Sequence, residues 1–102
     1  MEAMNPAQAS RTVTVANRAG LHARAALLLA NCVREFQAKV ELVMDRQRVD
    51  ALDMLQVLSL GANQGQSITL EASGLEAEAV LDALERLFAA RFHEDEAEGE
   101  DH

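Results

Sequence analysis

A chain of 102 residues, 49% of them hydrophobic, makes one compact domain with little room for a deep substrate pocket, so chemistry is expected near its surface. A net charge of −8 with three Phe as the only aromatic residues argues against nucleic acid and anionic membranes as partners and supplies no base-stacking platform. The single Cys32 cannot form an internal disulfide, and no apolar run approaches the ~18 residues of a bilayer span, so the expected setting is reducing and cytoplasmic, without membrane insertion.

Residues 1–10 (MEAMNPAQAS) are small and polar, lack the apolar stretch of a signal peptide and are expected to form a flexible leader before a domain spanning residues 11–92. Arg11 to Ala16 alternates, with Val13 and Val15 on one face, as a half-buried strand does. Asn17 to Gly20 breaks it. From His22 to about Phe36, Ala25, Leu28, Leu29, Cys32, Val33 and Phe36 recur at helical steps, which predicts an amphipathic helix starting at or beside His22.

Lys39–Met44 and Gln47–Ala51 predict a hairpin turning at Asp45 and Arg46. Asp53 suits the N-cap of a short helix carrying Met54, Leu55, Val57 and Leu58 and ending at Gly61. After the loop to Gly65, Gln66–Glu71 alternates with Ile68 and Leu70 inward. A helix from about Leu75 to Phe92 follows, expected to bury Ala79, Val80, Ala83, Leu84 and Leu87.

The order β-α-β-β-α-β-α predicts an α+β fold, a four-stranded antiparallel sheet with helices on one face. Residues 93–102 form an acidic tail, and the run Glu94–Asp101 alone holds six carboxylates. Its plainest role is solvation.

The chemistry concentrates in Gly20-Leu21-His22-Ala23-Arg24. A His placed where a strand gives way to a helix meets the unpaired N–H groups and partial positive charge of the first turn. Arg24 adds a forked cation suited to phosphate oxygens. A neutral imidazole there has a ring nitrogen lone pair free to attack phosphorus. On these residues alone, His22 as a solvated capping residue and His22 as a nucleophile both remain open.

Two segments carry a family resemblance. VANRAGLHARAA, Val15 to Ala26, resembles the V-x-N-x-x-GLHARPA signature of HPr and its nitrogen-pathway relatives, phosphocarriers of the phosphoenolpyruvate-dependent phosphotransferase system. VDALDMLQVLSLG, Val49 to Gly61, resembles that family's second signature, at a spacing that needs no gap. The resemblance implies an open-faced β-sandwich with three helices, and a phosphoryl relay that converts no metabolite itself.

Within that relay, the resemblance implies that His22 accepts the phosphoryl group from the first enzyme of the system and passes it to a sugar-specific or regulatory acceptor protein. It further implies that Arg24 and the backbone of Ala23 and Arg24 hold the phosphate. A docking surface would form around Met54, Leu55 and Leu58, with Asn31 and Arg34 within reach. The carrier would be a monomer without cofactor. The N-R-A-G-L-H lead-in leans toward the regulatory branch.

Two positions depart from the family pattern. Ala25 replaces a Pro that pre-sets the first helical turn, which is expected to loosen the phosphate site slightly. Asp53 stands at the regulatory Ser, so phosphorylation there is impossible. Asp53 reads either as a helix cap or as a permanent charge imitating phosphoserine. These departures keep a rival open, an HPr-like regulator that binds partners without being charged. Cys32 is expected to be an inert core thiol, and His93 and His102 lack companions at metal-ligand spacing, so no metal site is expected.

Overall fold

The computed structural model describes residues 8–94. Within them the chain forms β1 (Gln8–Thr14), α1 (Ala23–Arg34), β2 (Lys39–Met44), β3 (Gln47–Asp50), α2 (Met54–Ser59), β4 (Ser67–Ser73) and α3 (Ala77–Ala89), then a 3-10 turn at Arg91–His93. The strands join in the order β1-β4-β2-β3, all neighbours antiparallel. This is the α+β open-faced sandwich expected from the sequence.

Strand alternation sends Val13, Val40, Leu42, Met44, Val49, Ile68, Leu70 and Ala72 into one core with the inner faces of the helices. The other face keeps Thr12 beside Thr69, and Arg48 bonded to Glu41 and Glu71. Cross-strand pairs of this kind suit a solvated sheet face. The hairpin turns on Asp45 and Arg46 with φ of 51° and 69°, the two left-handed residues a tight two-residue turn demands.

Several boundaries differ from the sequence expectation. β1 begins at Gln8, inside the expected leader, because Gln8, Ala9 and Ser10 pair with Ser73, Ala72 and Glu71 at the end of β4. Residues 1–7 and the tail from residue 95, including His102, lie outside the described residues. α1 stops at Arg34, where the Glu35 N–H turns to the carbonyls of Cys32 and Val33.

α3 begins at Ala77, two residues later than expected, because the preceding turn is tied to the α1–β2 connection. The Glu76 N–H donates to the Gln37 carbonyl, and the Gln37 N–H to the Glu76 carboxylate at 2.7 Å. Leu75 is left exposed. The buried stripe of α3 is Ala77, Val80, Leu81, Leu84 and Phe88, whereas Ala79, Ala83 and Leu87 sit half-covered at its margin. Arg11, on β1, clasps α3 through Glu78, Asp82 and Glu85 at 2.6–2.9 Å. Hydrogen bonds to Asp82 and Glu78 push its pKa further up, although such solvated pairs add little stability.

Candidate functional site

Four residues turn the end of β1 into the start of α1. Asn17 is fully buried, and its side-chain amide donates to the Gly20 carbonyl at 2.7 Å while the Gly20 N–H returns to the Asn17 carbonyl. Gly20 has φ +71°, and a Cβ there would collide with the carbonyl oxygen of Ala62. That carbonyl instead accepts the Leu21 N–H at 3.1 Å, and the buried Leu21 side chain anchors the turn. Only glycine permits both the left-handed backbone and the close approach.

This frame delivers His22 to the N-cap of α1 in extended backbone conformation. Its carbonyl accepts the first helical bond, from Ala26 N–H at 2.9 Å, and its imidazole Nδ1 accepts the Arg24 N–H at 3.3 Å. The ring is half-buried, and Ala23 and Arg24 beside it are exposed. Nδ1 therefore presents its lone pair to the positive end of a twelve-residue helix, and the ring proton of the neutral form belongs on Nε2. Capping and nucleophilic readiness coincide in one nitrogen, and an anion attached to Nδ1 would enter a field of backbone donors.

The structure divides the expected docking residues. Leu55 is 79% exposed, while Met54 and Leu58 lean half-covered on the core. Leu27 on α1 and Leu52 before α2, both 45% exposed, are the further apolar residues at this end that sequence reasoning passed over. Leu27 lies in a run of three Leu, one of which must face outward at helical spacing. Arg34, hydrogen-bonded to Asn31 at 2.8 Å, borders an open groove with Asp50, Leu52, Asp53, Met54 and Leu55.

Asp53 caps α2, its carboxylate accepting the Gln56 N–H at 3.2 Å. That geometry gives the cap reading a physical basis. Ala25 is wholly buried in the first turn of α1. Cys32 is half-buried on the inner edge of α1; burial, then Glu35, pushes its thiol pKa up against the pull of Arg86, the opposite of what a reactive thiolate requires. Among the described residues no three His, Cys, Asp or Glu side chains converge as metal ligands, and no helix is long and apolar enough to cross a membrane.

A model of the PTS HPr component phosphorylation site matches residues 9–90. The chain belongs to the HPr family of phosphocarriers. It is 40% identical over 85 residues to phosphocarrier protein HPr of Treponema pallidum, covering 83% of this chain and 97% of that one. It is 42% identical over 84 residues to phosphocarrier protein NPr of Shewanella violacea, covering 82% and 92%. A crystal structure of HPr-C-His from Thermoanaerobacter tengcongensis superposes with a TM-score of 0.80 at 31% identity, over 84% of this chain and 97% of that one. Membership makes this chain an HPr-type phosphocarrier, working between the first enzyme of the phosphotransferase system and downstream acceptor proteins.

One neighbour of the site had no signature in the sequence. Glu94, read there as the first carboxylate of a solvated tail, folds back so that its Oε1 accepts the Ala19 N–H at 3.2 Å and its Oε2 lies 3.9 Å from Arg18 Nε. His93 and Glu94 thus belong to the folded domain.

Proposed function

We propose that His22 is the phosphoryl acceptor and that the new bond forms at Nδ1. The observation that carries this reading is the Nδ1 lone pair held toward the Arg24 N–H at the start of α1. As Nδ1 attacks phosphorus, the bond from phosphorus to the donor breaks and its electron pair leaves with the donor. The Arg24 N–H, released from Nδ1, is then placed to donate to a phosphoryl oxygen. The Ala23 N–H and the Arg24 guanidinium supply further donors, so charge is met by groups that need little rearrangement.

The surface formed by Leu27, Leu52 and Leu55, with Met54 and Leu58 beneath and Arg34 and Asn31 at the rim, is the docking face for both donor and acceptor. An exposed apolar patch beside an accessible nucleophile suits brief, repeated encounters in the cytoplasm. Asp53 serves this face as a cap.

Incubation with phosphoenolpyruvate and the first enzyme of the system tests the reading by intact mass. One acid-labile phosphoryl group is expected on the wild type and none on His22→Ala. A wild type left unmodified by an enzyme that charges an ordinary HPr would put the binding-only regulator in its place.

A further inference from the structure

The chain does not simply leave the domain after α3. Arg91, Phe92 and His93 all adopt left-handed backbone, with φ of 58°, 51° and 58°. Three consecutive non-glycine residues hold that conformation only where tertiary contacts over-determine it. Here the contacts lie at both ends. Phe92 is 1% exposed and packs edge-on against Phe88, with ring centroids 4.8 Å apart. Beyond the turn, Glu94 seats its carboxylate, 12% exposed, on the Asn17–Gly20 loop that sets His22.

The carboxylate has specific partners there. Its own burial raises its pKa, but the Ala19 N–H, the Asn17 side chain and the fields of Arg18 and His22 outweigh burial and hold the carboxyl below its ordinary value. Glu94 is therefore an ionised group within electrostatic reach of the ring that takes up the phosphoryl group. Two effects of opposite use follow from one side chain. Its hydrogen bond steadies the loop preceding the nucleophile, and its charge opposes the negative charge that arrives on Nδ1.

We propose that Glu94 is a positioning residue of the transfer site, which holds the Asn17–Gly20 loop and by charge repulsion keeps phospho-His22 readily transferable. The proposal rests on His22 being the acceptor. Its physical logic is that of a relay: a phosphoryl group bound too comfortably would be slow to move on, and a nearby carboxylate raises the carrier's transfer potential. Coupling of this kind is reciprocal, so loading His22 must loosen the Glu94 contact by the same factor that Glu94 disfavours loading.

The test compares wild type, Glu94→Gln and Glu94→Ala in the reversible exchange with the charged first enzyme, alongside hydrogen exchange at the Ala19 amide. Glu94→Gln keeps an acceptor for Ala19 and removes the charge. Its equilibrium is expected to shift toward the phosphorylated carrier by about fivefold, the low end of site-to-site coupling, by less at high salt, with Ala19 protected as in the wild type. Glu94→Ala should show the same shift together with faster Ala19 exchange. In the wild type, phosphorylation should itself speed that exchange. An unshifted Glu94→Gln equilibrium beside a normally charged wild type would overturn the role of Glu94 and leave His22 in place. Failure of the wild type to charge at all would overturn the His22 reading, and this one with it.

Discussion

Gly20 sets the geometry that brings His22 to the N-cap of α1. The left-handed φ at Gly20 and the Ala62 carbonyl against it leave no space for a side chain. Gly20→Ala is therefore expected to cost at least ~1–2 kcal/mol from backbone conformation alone, read as a lower urea midpoint, and to slow phosphorylation by moving His22. Asp53 answers to a different test. Its cap bond to Gln56 predicts that Asp53→Ala costs ~1 kcal/mol, while Asp53→Ser restores the cap with stability nearly unchanged. If capping is its whole task, Asp53→Ser transfers phosphate at the wild-type rate; an accelerated Asp53→Ser would instead mark the carboxylate as a standing phosphoserine mimic. The helix caps at His22 and Asp53 were legible from the chain because each sits at a helix start, where local rules govern a few adjacent residues. Glu94 was not, because its partner Ala19 is 75 residues away and nothing local marks an acidic residue that folds back.

The helices show why exposure is harder to read than periodicity. The family resemblance made Met54, Leu55 and Leu58 candidates for docking without ranking them, yet α2 has only six residues and rests between α1 and β3, so Met54 and Leu58 are drawn onto the core and Leu55 is left outside. Leu55→Asp should then leave stability within ~0.5 kcal/mol, as surface changes do. It should also weaken productive docking with the first enzyme on the order of tenfold, as loss of a central apolar contact does, seen as a raised KM with the carrier as substrate. α3 illustrates the same difficulty from the other side. Its hydrophobic residues extend on to Phe92, which suggested one helix, but the chain reverses into left-handed backbone after Ala90 and buries Phe92 from a new direction. Removing that anchor with Phe92→Ala is expected to cost ~3 kcal/mol or more in a urea titration.

At the scale of the molecule, element order and layer arrangement followed from alternation, turn residues and two amphipathic stripes, all of which repeat often enough to reinforce one another. Charge placement did not follow, because a carboxylate has no period. The acidic run beginning at Glu94 reads as uniform in the chain, yet its first member is fastened to the Asn17–Gly20 loop. Because the folded protein holds the Glu94 carboxyl below its ordinary pKa of about 4.5, the folded state binds its proton less readily than the unfolded chain does. The stability this supplies is thus complete above that ordinary value and is lost as pH falls through the folded one. Glu94→Gln cannot titrate, so its stability should fall less steeply than that of the wild type across this acid range, as followed by urea midpoints at a series of pH values. Parallel acid limbs for the two proteins would mean that the carboxylate gains nothing from Ala19, Asn17 and Arg18.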